Sequence, residues 1–220
     1  MKETILKILR IICMNLRPLG SKVEFMMIKV RGYVLFGKKN IYVYPHVEIN
    51  NPEAVNVGDN ITIHSNVRLQ SLQKSPIHIS NNVQIYDHSV IQSLGGEVVI
   101  GNNVIIGKYT TIQAQSSVTI EDDVLLASKI QFITNTHVYE NPNTPIKYQN
   151  NISKPIVVKK GAWIGINCTI LSGVTIGTNS VVGAGSVVNR DIPDYCIVAG
   201  APARIIKRYN FITNKWELEK

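Results

Sequence analysis

Five histidines stand out as side chains able to move a proton near neutral pH: His46, His64, His78, His88 and His137. An imidazole has its ordinary pKa near 6.5, which suits it to acid–base work in the cell. The first four fall in the first half of the chain, mostly at turn or edge positions, where a solvated ring is the default. His137 differs. It sits at the base of TNTHVYENPNTPIKYQNNISKP, residues 134–155, the one long break in an otherwise regular pattern. A long loop inside a compact repeat is usually functional or disordered. The cysteines Cys13, Cys168 and Cys196 are odd in number, and no pair has metal-ligand spacing. They fit a reducing, cytoplasmic setting, and Cys168 reads as a small buried apolar residue. The formal charge of +8 favours anionic partners. Its basic residues cluster over 2–39 and 159–215, towards the two ends of the chain, and nucleic acid is not an expected partner.

The elements that must position these groups are short and repeated. From Val158 an aliphatic residue returns every sixth position: Ile164, Ile170, Ile176, Val182, Val188. That period matches neither a helix face nor a strand face, so it marks a repeat architecture. Upstream the register runs Val43, Ile49; Val57, Ile63, Leu69; Ile79, Ile85, Ile91; Ile100, Ile106, Ile112; Ile120, Leu126, Phe132. Groups of three make one coil of a triangular solenoid, and extra residues fall between groups, after Leu69, Ile91 and Ile112. The position three places beyond the aliphatics is rich in residues that enter the left-handed backbone region cheaply. They are Asn60, Asn66, Asn82, Asn103, Asp123, Asn135, Gly161, Asn167, Gly173, Asn179, Gly185 and Asp191. Each hexad is therefore a short strand and a turn. Val83, Ser89, Thr110, Val124, Cys168, Val174, Ser180 and Ser186 fill the space two places before the next aliphatic.

The ends are different. KETILKILRIICMNL lacks a cleavage site and is interrupted by Lys7 and Arg10, so it is not read as a signal peptide. Residues 1–22 are expected to form a helix ended by Pro18 and Gly20, capping the solenoid or resting on a membrane surface as a peripheral anchor. Residues 23–40 are ambiguous. The expected divisions are a lead-in over 1–40, a β-helix over 41–197 with the loop 134–155, and a cap over 198–220 anchored by Trp216.

The strings WIGINCTILSGVTIG, VVGAGSVVNRDIP and VAGAPARIIK resemble the terminal coils of the hexapeptide-repeat acyltransferases, and most of all their sugar and polysaccharide O-acetyltransferase branch. The resemblance covers about residues 57–210. It implies an all-β, left-handed parallel β-helix and an acetyl-CoA donor with no metal; the flat faces of such a prism can pack about a threefold axis, so a homotrimer with the donor cleft between subunits is expected. The resemblance also implies a sugar, sugar nucleotide or glycan acceptor, in bacterial surface polysaccharide biosynthesis. The loop histidine of that family is the general base, which implies His137 here, with Asn135 a candidate to orient it. The backbone N–H of Ile166 would face the oxyanion, and Trp163 would line the donor channel. Ala184 and Asn189 would meet the pantetheine arm through backbone contacts, and Arg190, Arg204 and Lys207 would meet the coenzyme A phosphates. The N-terminal segment and the coil YTTIQAQ depart from the branch's acceptor-binding pattern, so the acceptor stays open. The alternatives are N-acetylation of an amino sugar nucleotide, a γ-carbonic-anhydrase-like zinc enzyme, and a non-catalytic β-helix. The zinc enzyme needs two histidines five apart, which the chain lacks.

Overall fold

The structure, a computed structural model, describes residues 21–72 and 75–219. The hexads form three parallel sheets that wrap one narrow core. Face A begins at Ile41–Val43, face B at Glu48–Asn50 and face C at Val55–Val57, and the chain visits them in that order on every turn. Face A has ten strands, the last two of them antiparallel additions from the C-terminal tail, face B seven and face C six. Like positions stack in register from turn to turn, as in Ile85, Ile106, Leu126, Ile164 and Val182 on face A. Their side chains are fully buried and make a continuous aliphatic ladder. The small residues expected to fill the space between ladders, Ser89, Thr110, Cys168, Ser180 and Ser186 among them, are fully buried too. The fold is the left-handed parallel β-helix of the hexapeptide repeat.

Turn chemistry follows the hexad rule at most positions. Asn60, Asn66, Asn82, Asn103, Asp123, Asn167 and Asn179 adopt φ between 50° and 61°, and Gly161, Gly173 and Gly185 are also left-handed. At the C-to-A corner the asparagines lace successive turns together: Asn60 Nδ2 donates to Asn82 Oδ1 at 2.9 Å, Asn82 to Asn103 at 3.0 Å, and Asn103 to Asp123 at 2.8 Å. Two expected turn residues are not left-handed. Asn135 is drawn into a strand pair with Ser153. Asp191 instead accepts a hydrogen bond from the Thr175 N–H at 2.7 Å.

The B-to-C corner absorbs every insertion, because there the chain leaves face B one residue late. Ser71, Ser93 and Thr134 are buried at that exit and bond to the insertion backbone; Ser71 Oγ and Ser93 Oγ both donate to the Ser75 carbonyl, at 2.6 and 2.7 Å.

The helix expected over 1–22 lies outside the described residues except at its last two positions. The described helix, α1 (Ser21–Phe36), occupies the stretch that reads as ambiguous. It buries Ile28 and Leu35, and a Cβ on Gly32 would run into the Ile41 backbone, so the helix sits directly on the first turn. Among the described residues no helix is long and apolar enough to cross a membrane. At the other end, Gly200 to Ala203 reverse the chain. Arg204–Asn210 then runs antiparallel to Cys196–Ala199, and Lys215–Leu218 antiparallel to that. Trp216 packs edge-on against Tyr209, at 5.3 Å between ring centres, within this hairpin and away from the core ladders.

Candidate functional site

The long interruption is an ordered arm. Asn135–His137 pairs antiparallel with Asn151–Ser153, with Asn135 opposite Ser153 and His137 opposite Asn151. Its base is pinned at Thr134. The hydroxyl of that buried residue donates to the Gln113 carbonyl at 3.0 Å and accepts from the Gln115 N–H at 2.9 Å. Its carbonyl accepts from Ser172 Oγ at 2.7 Å and from the Lys154 N–H at 2.9 Å. His137 is exposed, three residues beyond this anchor. A rigid base with an accessible imidazole is what a positioned proton acceptor needs. Asn135 lies two residues before His137 on the same strand, hence on the same face; no hydrogen bond joins their side chains among the described residues. Thr134 and Ser172 escape a sequence reading because hydroxyl residues are common in these hexads, and only the tertiary contacts single them out.

Trp163 and Ile166 stand on the far side of face B from the arm, on face A and its border with B. Trp163 projects outward from face A, paired between Leu125 and Val181, and is 49% exposed. Ile166 is 47% exposed at the A-to-B corner. With Leu125 they form an apolar outer strip beside a row of turn backbones. Among the described residues the Ile166 N–H makes no backbone hydrogen bond. The corresponding turn position leaves its N–H open on other coils as well, so what distinguishes Ile166 is its place next to Trp163. Ala184 occupies that position one turn further on and is exposed. Asn189 and Arg190 are exposed just after the last face-B strand.

Arg190 and Arg204 come together. Both line a cleft of about 230 Å³ with Asp191, Ile192, Ala203, Ile205 and Glu219. Neither makes an ion pair with a described residue, whereas Glu219 is engaged by Arg208 at 2.8 Å. Lys207 does not line this cleft; it lies three residues along the strand, opposite Ile197 and Leu218. The fold thus gathers two of the three expected phosphate-binding cations.

The A-to-B corner on the early turns carries a cluster that sequence reasoning treats as solvated surface. His64 is sandwiched between Tyr44 and Tyr86, at 4.8 and 4.4 Å between ring centres. Burial depresses its pKa, helped by Lys108 and opposed by Asp87. Burial opposes ionisation of Asp87, but the Lys108 ammonium at 3.2 Å and other hydrogen bonding outweigh it, so its carboxyl titrates below the usual range. Among the described residues no group of three His, Cys, Asp or Glu side chains is placed to hold a metal ion.

Residues 155–190 match the bacterial transferase hexapeptide model (six repeats), and residues 97–128 match the hexapeptide repeat of succinyl-transferase. The chain is 34% identical over 176 residues to WbbJ of Escherichia coli, named for lipopolysaccharide biosynthesis O-acetyl transfer; the match covers 77% of this chain and 79% of that one. It is 38% identical over 118 residues to the galactoside O-acetyltransferase of E. coli, covering 54% of this chain and 57% of that one. Among solved structures it is similar to AntD, an N-acyltransferase from Bacillus cereus, in complex with dTDP-4-amino-4,6-dideoxyglucose and coenzyme A. That likeness has a TM-score of 0.58 at 25% identity, over 90% of this chain and 95% of that one.

Proposed function

The chain belongs to the hexapeptide-repeat acetyltransferases, and from that premise we propose that it moves the acetyl group of acetyl-CoA to a sugar hydroxyl of a surface glycan, with His137 as general base. The observation that carries this reading is an exposed histidine on a pinned arm, in a chain that shares 34% identity over most of its length with a protein named for O-acetyl transfer. A hydroxyl is a weak nucleophile until its proton leaves. One imidazole nitrogen of His137 accepts that proton as the oxygen attacks the thioester carbonyl. The resulting tetrahedral oxyanion is met by the Ile166 N–H, a fixed dipole that need not reorganise. Collapse expels the coenzyme A thiolate, which recovers the proton from the imidazolium. Trp163 walls the donor channel, Ala184 and Asn189 meet the pantetheine arm, and Arg190 and Arg204 take the phosphates.

His137 and Ile166 stand at opposite borders of face B, and no contact joins them among the described residues. The arm of one copy must therefore meet the corner of another. A closed ring of three copies satisfies this with identical interfaces, so the active form is a homotrimer. Tyr139, Ile146, Tyr148 and Ile152 on the arm are exposed apolar groups suited to that contact. The similarity to AntD supports a second reading, N-acylation of an amino sugar nucleotide. The two separate on one variant. A neutral amine is already nucleophilic, so His137→Ala should spare an amine acceptor at high pH and disable a hydroxyl acceptor. The test is acetyl-CoA consumption by wild type and His137→Ala against sugars, amino sugar nucleotides and glycan fragments. Consumption with none of these would sink both readings.

A further inference from the structure

The corner that carries Ile166 runs the length of the solenoid, and its lower half is used by nothing described so far. Each turn residue there donates its N–H to the residue before the turn on the previous coil: Asn66 to Pro45, His88 to Ser65, Tyr109 to Asp87, Lys129 to Lys108, Asn167 to Ser128, Gly185 to Ile166. One continuous edge thus joins His46 at the bottom to Ile166 near the top. Beside its first four turns lies a groove of about 530 Å³, lined by His46, Glu48, Asn66, Arg68, His88 and Tyr109.

Three features of this groove point the same way. First, its four left-handed positions hold His46, Asn66, His88 and Tyr109, at φ 58° to 61°, so three of the four are bulky rings where the C-to-A corner uses asparagine and aspartate. A bulky residue is costly in that backbone region, so these side chains are kept for what they present. Second, the His88 and Tyr109 rings lie parallel, 3° apart at 4.8 Å, and form a flat platform. Third, the formal charges of the lining are balanced: Arg68 faces Glu48 at 3.7 Å, and beside the groove Lys108 is paired with Asp87 at 3.2 Å. A balanced array of donors and acceptors beside an aromatic platform suits paired hydroxyls and the apolar face of a sugar ring. It is poorly suited to a pyrophosphate, which wants uncompensated cations. At about 4.8 Å per turn the groove runs roughly 14 Å, longer than one sugar ring.

We propose that this groove holds the acceptor away from the reacting end, and that the acceptor is an uncharged oligosaccharide of several units, not a free sugar or a nucleotide-linked one. This rests on the acetyl-transfer reading above. The test uses the intact protein, acetyl-CoA, and size-fractionated mono- to tetrasaccharides from the de-O-acetylated surface polysaccharide of the producing cell. Catalytic efficiency, kcat/KM, should rise about tenfold or more from the shortest to the longest fraction as remote binding energy is recruited. Tyr109→Asn and His88→Asn place a residue that this backbone favours, so they should fold at least as well as wild type by thermal melting. Both should drive the ratio of long-chain to short-chain efficiency toward one. Equal efficiency at all lengths, or asparagine variants that keep the ratio, would overturn the groove and leave acetyl transfer standing. Acetylation of an amino sugar nucleotide but of no fraction would overturn the groove and the hydroxyl reading together.

Discussion

Replacing Gly165 by alanine should damage stability and turnover together, through one cause. Gly165 links the Trp163–Ile164 strand to Ile166, and its N–H donates to the Val182 carbonyl at 2.8 Å. A Cβ there would lie 2.7 Å from the Ala184 nitrogen and 2.8 Å from the Val182 oxygen. Both are backbone atoms of the next turn, and no rotamer change relieves them. To reach the 3.4 Å at which ordinary contact begins, the turns must separate locally by about 0.7 Å. Overpacking of this kind costs about 1–3 kcal/mol. For a chain of this size that lowers Tm by about 2–12 °C. The neighbouring Ile166 N–H moves by a comparable distance, and a misplacement near 1 Å costs about 100-fold in rate; a loss of roughly 10- to 100-fold is expected. Gly183→Ala is the control. Its nearest obstacle is the Ala199 side chain at 3.1 Å, so a few tenths of an ångström suffice. Urea unfolding and acetyl-CoA consumption measure the two effects. If Gly165→Ala is destabilised relative to Gly183→Ala yet turns over as fast, the Ile166 corner does not hold the oxyanion.

Other expectations follow from the same geometry. His137→Ala should lower kcat by about two to four orders of magnitude and leave acetyl-CoA affinity, measured by calorimetry, near wild type; turnover kept near wild type on the true acceptor would remove the histidine from the mechanism. Alanine at Arg190 and Arg204 should raise the KM for acetyl-CoA, with a defect that shifts with salt, whereas Lys207→Ala should do less; acetyl-pantetheine serving as well as acetyl-CoA would refute the phosphate role. His64 has a folded pKa below its ordinary 6.5, so the folded state binds fewer protons than the unfolded chain below that pH. Its stabilisation is present above pH 6.5 and is lost as pH falls toward the depressed value. Thermal melts of wild type from pH 7 to 5 should show this decline, and His64→Gln should flatten it. Light scattering should report a trimer, and an active monomer would dismantle the shared site.

The solenoid was legible because its signal is redundant. Ladder residues such as Ile106 and Ile164 recur at one spacing, and turn residues such as Asn103 and Asn167 confirm it at a fixed offset. Helix α1 gives no such signal. Met26, Val30 and Tyr33 face outward while Ile28 and Leu35 face the first turn, so apolar residues surround the axis and no period emerges. Asn135 satisfies the turn rule locally, but pairing with Ser153 across a long loop overrides it. His137, Trp163 and the paired arginines could be named from the sequence because their strings resemble a known family. The early corner could not, because the turn rule expects asparagine and glycine, and His88 and Tyr109 break it.

A stack of near-identical turns also acts as a ruler. Tyr109 and Asn167 are two turns apart on one edge, so groove and oxyanion corner are separated by a whole number of pitches, roughly 10 Å in all. Loss or duplication of one complete coil between them would leave every core ladder intact while sliding one site past the other by a single pitch. Substitutions cannot produce so discrete a change. If the groove holds the acceptor as proposed, such a chain would address a different unit along a polymer, so selection among repeating sugars would be altered by counting coils, with no residue at either site replaced.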